Sequence, residues 1–143
     1  MLHVLDPQRQ QALLDRIRLI PIVATLKMQL ERLDAGHCRI RAPYRRVYDG
    51  VFESFHGGLL MTIADSAACF AILTQTDPQE VLTTTDMNIR FLAPCRSDVI
   101  AAANVIKLGR TLCPVAVDLT DEAGKTVAVA QVTYMRLDKM PRR

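Results

Sequence analysis

No C-x-x-C pair occurs in this sequence, and none of its three histidines stands at metal-ligand spacing from a cysteine. The four cysteines, Cys38, Cys69, Cys95 and Cys113, are separated by 31, 26 and 18 residues. This spacing disfavours zinc, and no metal is expected. The start, MLHVLDPQRQ, has an acid, a proline and glutamines where a secretory leader would carry an apolar run. The cysteines therefore read as reduced thiols of a cytoplasmic protein. A membrane-length run is also missing. The longest candidate, Gly58 to Leu73, has 16 residues and contains Asp65, whereas a span needs about 20 apolar residues without such a charge. Charge of one sign is scarce, with 18 Lys plus Arg against 15 Asp plus Glu, a formal net of +3. That excess is too mild to imply nucleic acid. Internal repeats, low-complexity stretches and a G-x-S-x-G nucleophile elbow are all absent.

What is present is the composition of a globular chain. The 143 residues are 50% hydrophobic and 23% charged, which fits one domain burying roughly 70% of its unfolded surface. Pro7 opens an amphipathic helix in which Leu13, Leu14, Ile17 and Ile20 recur at helical spacing, and Pro21 ends or kinks it. Residues 1–25 thus form an N-terminal helical segment. Leu26 to Glu31 and His37 to Ala42 alternate as strands around the turn Asp34-Ala35-Gly36. Tyr44 to Phe55 has no clean period and reads as a functional loop. A helix apolar nearly all round follows, from about Gly58 to Gln75.

Four strands complete the chain: Val81–Leu92, Asp98–Lys107, Leu112–Thr120 and Thr126–Leu137. In the first, strict alternation puts Val81, Thr83, Thr85, Met87, Ile89 and Phe91 on one face. Leu82, Thr84, Asp86, Asn88, Arg90 and Leu92 occupy the other. The short turns favour antiparallel pairing. The expected architecture is α+β, a six-stranded antiparallel sheet wrapped around one long central helix, with the N-terminal helix outside it. Residues 139–143 read as a frayed tail.

The chemistry concentrates in Phe55-His56-Gly57-Gly58 and in Asp65, seven residues after the second glycine. Glycines let a backbone approach a ligand closely. The first N–H groups of a helix lack internal partners and carry the positive end of its dipole, so they can hold a carbonyl oxygen that becomes negative during acyl transfer. A carboxylate inside an apolar helix is costly unless it is paired or catalytic. If His56 and Asp65 were both helical, nine residues at ~100° would put them on opposite faces. His56 therefore lies in the loop, or the two residues serve different places.

These motifs resemble the acyl-CoA thioesterases of the hotdog superfamily, in particular the phenylacetate-degradation (PaaI-like) group. The matching pieces are H-G-G-x₆-D at His56 to Asp65, T-x-D-M-N-I-x-F at Thr84 to Phe91, Ala93-Pro94, Gly109-Arg110, and D-E-x-G-K-x-V-A at Asp121 to Ala128. The resemblance implies the hotdog fold and hydrolysis of an acyl- or aryl-acyl-coenzyme A to free acid and coenzyme A. It implies no cofactor, since coenzyme A is part of the substrate. Asp65 would be the general base or nucleophile, the Gly57 amide would polarise the thioester oxygen, and His56 would help place the thioester. Gly58 would open the helix beside it.

Thr84 would position water or Asp65 from the neighbouring subunit. Arg110 would meet coenzyme A phosphate, with Asn88 and Arg90 as further substrate-binding candidates and Arg96 and Lys107 assisting. The resemblance also implies a homo-oligomer, a dimer or dimer of dimers, with neither nucleic acid nor membrane as partner. Many family members carry Asn six residues before the His, and here that position is Gly50. Asp49 and Glu53 are nearby candidates for a supporting polar group. The glycine supports an alternative reading, a non-catalytic hotdog protein that binds acyl-CoA as sensor or carrier.

Overall fold

A computed structural model describes residues 4–138. The expected frayed tail, 139–143, lies outside these described residues. Asp6 caps helix α1 (Pro7–Arg18), its carboxylate accepting from the Arg9 N–H at 3.2 Å. Leu13 and Ile17 form the buried stripe of α1. Pro21 both ends this helix and opens a second, five-residue helix, α2 (Pro21–Thr25). The strand expected from Leu26 begins three residues later, as β1 (Gln29–Asp34). Residues 26–28 are spent closing α2. The Met28 N–H reaches the Val23 carbonyl at 2.9 Å, and Lys27 takes φ +51°. This left-handed close of a helix overrides the apolar alternation of Leu26, Met28 and Leu30.

Strand β2 (His37–Ala42) pairs with β1 across the Gly36 turn, where φ is +76°. A loop with one 3₁₀ turn, Arg46–Tyr48, leads to α3 (Gly57–Leu73). Then come β3 (Val81–Phe91), β4 (Val99–Val105), β5 (Leu112–Asp121) and β6 (Thr126–Leu137). All pairs are antiparallel, in the order β1-β2-β4-β5-β6-β3. The expected six-stranded sheet around one central helix is therefore the observed architecture. No helix among the described residues is long and apolar enough to cross a membrane.

Helix α3 lies chiefly across β2, β4 and β5. Its buried side is rich in small residues: Ala64, Ala67, Ala68 and Ala71 lie among Leu60, Ile63, Phe70 and Ile72. Opposite them the core is closed by Val99, Val115, Val117, Leu119, Val127 and Val132. Met61, Thr62, Asp65, Ser66 and Cys69 remain half-exposed. Their spacing is helical, so they form one stripe that the chain's own sheet leaves uncovered. The β3 edge is also open, with Thr83 to Asp86, Asn88 and Arg90 exposed.

The strict alternation expected for β3 is broken. Thr84 pairs with Tyr134 and Asp86 with Thr133, so Thr85 is an extra residue without a partner. A bulge of this kind shifts the two-residue period by one. Before it, Leu82 packs on the core; after it, Met87 and Ile89 do. The inner face is thus Leu82 and Thr84 followed by Met87, Ile89 and Phe91, a set that the sequence reading divided between opposite faces.

Candidate active site

His56 is the N-cap of α3, just outside the helix as its spacing to Asp65 requires. Its Nδ1 accepts from the Gly58 N–H at 2.9 Å. A neutral ring accepting at Nδ1 carries its proton on Nε2. The cap consumes the Gly58 donor, so Gly58 supports the turn and does not offer its N–H to a ligand. Gly57 is the first helical residue, and its N–H finds no acceptor among the described residues. The unsatisfied donor at the positive end of a helix is therefore Gly57.

An open groove of about 350 Å³ lies against Gly57, walled by Phe55, Leu60, Phe91 and Pro94. A Cβ on Gly57 would sit 3.1 Å from Phe91 Cζ, so the glycine is what lets that ring close over the helix start. Gly50 packs beside the His56 ring, where a Cβ would lie 3.5 Å from Cδ2. Of the two nearby acids, Asp49 is engaged, since Tyr44 donates its hydroxyl to Oδ1 at 2.5 Å. That bond is the main reason the Tyr44 phenol titrates above its usual range. Glu53 is exposed at φ +52°, and its carbonyl accepts from Arg96 Nε at 3.1 Å.

Asp65 sits two turns further along α3. Thr84 donates its hydroxyl to Asp65 Oδ1 at 2.8 Å, and the Tyr134 hydroxyl approaches the same oxygen at 2.8 Å. Tyr134 also lies 2.9 Å from the Asp65 carbonyl oxygen. Thr84 thus reaches the acid of its own chain, whereas the resemblance implies such a contact from a neighbouring subunit. Thr84 shares the core face with Leu82 by plain alternation, and the bulge after it brings Met87 and Ile89 onto that same face. Tyr134, on β6 directly opposite Thr84, went unnoticed in the sequence. Its signal was weak: a tyrosine hydroxyl in a buried strand needs a partner, but only the register shows which. Burial pushes the Tyr134 phenol far above its usual range, so it stays a donor. Cys69, one turn after Asp65, is pushed up to about 11 by burial first and by the Asp65 charge second, which keeps it a thiol rather than a nucleophilic thiolate.

Gly57 and Asp65 are eight helical residues apart, about 12 Å along the axis. The groove and the carboxylate of one chain therefore cannot meet at a single carbonyl carbon. The remaining candidates divide between the two places. Arg110 is exposed in the β4–β5 turn, at the end of the sheet where Val81 starts β3, whereas Gly57 lies by Phe91 at the other end. Eleven strand residues separate these ends by roughly 30 Å. Arg96, next to groove residue Cys95, is the closer cation to Gly57. Asn88 and Arg90 bond each other at 2.8 Å on the outer face of β3, away from Asp65. Lys107 is exposed just beyond β4.

The chain is similar to proteins of known name. The chain is 36% identical over 83 residues to acyl-coenzyme A thioesterase 13 of Homo sapiens, a match covering 56% of this chain and 59% of that protein. The match thus spans less than two thirds of that relative's length. The structure of a thioesterase family protein from Silicibacter pomeroyi superposes with TM-score 0.84 at 26% identity, over 90% of this chain and 98% of that one. The E. coli PaaI protein, from the phenylacetic acid degradation operon, superposes with TM-score 0.86 at 20% identity, over 95% and 98%. Residues 11–135 match the family described as "Domain of unknown function (DUF4442)". The chain therefore belongs to the DUF4442 family and has the hotdog fold of the thioesterase-family structures on which it superposes.

Proposed function

We propose that this chain hydrolyses acyl- or aryl-acyl-coenzyme A thioesters, releasing free acid and coenzyme A, in a site shared by two copies. One observation carries this reading. On a single helix, an unbonded N-terminal N–H faces an open groove, and a carboxylate gripped by two hydroxyls stands about 12 Å further on. The first suits an oxyanion and the second suits attack, but each needs the other's counterpart close by.

A second copy related by a twofold axis supplies it. Pairing β3 antiparallel to β3 sets the Phe91 end of one strand beside the Val81 end of the other. The Gly57 groove of one protomer then faces Asp65, Thr84 and Arg110 of its partner. The half-exposed stripe of α3 and the open polar edge of β3 are the surfaces such pairing would cover. Stable interfaces of this kind bury about 2,000 Å² or more. A dimer is the minimum and a dimer of dimers is compatible.

In this site the thioester oxygen accepts from the Gly57 N–H. The Asp65 carboxylate takes a proton from water as the water oxygen bonds to the carbonyl carbon, or it bonds to that carbon itself. Collapse of the tetrahedral centre breaks the C–S bond, and coenzyme A leaves as a thiolate. After attack by water, the thiolate takes the proton held by Asp65. After direct attack, a water hydrolyses the acyl–Asp65 anhydride, freeing the acid and the carboxylate and supplying that proton. His56 holds the helix start in shape, and cations at the rim, Arg96 of the same chain and Arg110 of the partner, suit the phosphates. The human relative's name as an acyl-coenzyme A thioesterase supports this substrate class. Gly50, which offers no side-chain donor, favours the alternative of an acyl-CoA sensor or carrier. A panel of acyl- and aryl-acyl-CoAs with thiol release monitored separates them. Turnover of at least one thioester is expected, and tight acyl-CoA binding without thiol release would establish the carrier instead.

A further inference from the structure

Asp65 is not held symmetrically. Both donors, Thr84 and Tyr134, converge on Oδ1, and among the described residues Oδ2 accepts no hydrogen bond. The two donors face each other across the β3–β6 ladder at the point where the bulge interrupts it. Tyr134 has a further tie to the Asp65 carbonyl oxygen. Its single proton is thus shared, in a three-centre bond, between the carboxylate and the backbone that carries it. It is only 5% exposed, whereas Thr84 is exposed. A carboxylate with one oxygen pinned twice loses its free rotation, and its second oxygen keeps one direction.

We propose that Tyr134 is a positioning residue that, with Thr84, fixes Oδ1 of Asp65 so that Oδ2 alone removes the proton from water or attacks the thioester. The inference rests on the reading of Asp65 given above and adds to it which oxygen reacts and what aims it. A buried phenol suits the task because it donates throughout the neutral range and cannot compete as a base. Its ring is buried in the core, which holds the hydroxyl in place against Asp65. Thr84 alone could follow the carboxylate through a rotation, since its side chain is exposed on an edge strand. The tie from Tyr134 to the carbonyl removes that freedom. Tyr134 does not touch substrate; it acts through Asp65.

The test is a steady-state comparison of Tyr134→Phe, Thr84→Val, the double variant and Asp65→Asn on the best acyl-CoA substrate, with melting and oligomeric state recorded for each. The phenylalanine ring fills the same space. We expect Tyr134→Phe to lower kcat by about 10- to 100-fold, the size of one lost hydrogen bond to a charged group, with KM within twofold. Because both donors serve one oxygen, the double variant should fall by less than the product of the single losses. Unchanged kcat in Tyr134→Phe, a loss accounted for by unfolded protein, or fully multiplicative losses would overturn the proposal. Asp65→Asn separates the two levels. If it keeps wild-type kcat, the reading of Asp65 itself fails. If it is inactive while Tyr134→Phe is unchanged, only the role of Tyr134 fails.

Discussion

If each site takes Gly57 from one protomer and Asp65 from the other, two dead variants should restore each other. Gly57→Val spoils the oxyanion end, because a Cβ there would already lie 3.1 Å from Phe91 Cζ and a branched side chain would drive that ring into the groove. Asp65→Asn removes the base and leaves the shape. Refolded together in equal amounts, half of the dimers are mixed. In each mixed dimer one site combines an intact Gly57 with an intact Asp65, and the other carries both defects. About one quarter of all sites should therefore recover, against a background of ~10²-fold or greater loss for each variant alone. A control sharpens the result. Thr84 and Asp65 belong to the same chain, joined at 2.8 Å. Mixing Thr84→Val with Asp65→Asn should then give no recovery beyond that of the Thr84→Val chains themselves. The assay is thiol release from acyl-CoA, with subunit exchange checked by a mass tag. Recovery in the control mixture, or none in the first mixture despite proven exchange, would refute the shared site as described.

Arg110→Ala should raise KM for acyl-CoA and leave short acyl thioesters lacking the nucleotide unaffected; an equal penalty on both would argue against a phosphate contact. Gly50→Asn should fold, since a Cβ there meets His56 Cδ2 at an ordinary 3.5 Å, and kcat should rise if an amide at this position helps orient water or thioester; a fall in kcat would count against that role. Gly109→Ala should cost about 1–3 kcal/mol in denaturant unfolding, as overpacked sites do, because a Cβ there would lie 2.1 Å from the Leu112 carbonyl oxygen; unchanged stability would show that the β4–β5 turn yields easily.

Much of this arrangement is legible in the sequence because it depends on local rules. The central helix follows from a long apolar run after two glycines, and His56 outside it from the nine-residue spacing to Asp65. The last four strands follow from alternation and turn residues, and β6 runs over Thr126–Leu137 as expected. What escaped detection depends on pairing. The bulge at Thr85 has no mark in Thr-Thr-Thr-Asp; it exists only relative to Thr133 and Tyr134 on another strand. The joining of Leu82 and Thr84 to Met87 and Ile89 on one face follows from that bulge, and the involvement of Tyr134 follows from its pairing opposite Thr84. The late start of β1 has a different cause. Lys27 enters the left-handed region to close α2, a choice set by backbone hydrogen bonds rather than by side-chain polarity. Arg110 was placed by motif near a phosphate, but only the strand order reveals that it belongs to the far end of its own chain's sheet from Gly57.

The central claim is that Asp65 drives thioester cleavage. Its most direct test is single-turnover thiol release by Asp65→Asn, with enzyme in excess over the acyl-CoA that the wild type hydrolyses best. The near-isosteric change should leave the fold, the oligomer and acyl-CoA affinity in place while the rate falls by about 10²- to 10⁴-fold. A rate within twofold of wild type, from protein shown to be folded and assembled, would contradict the account.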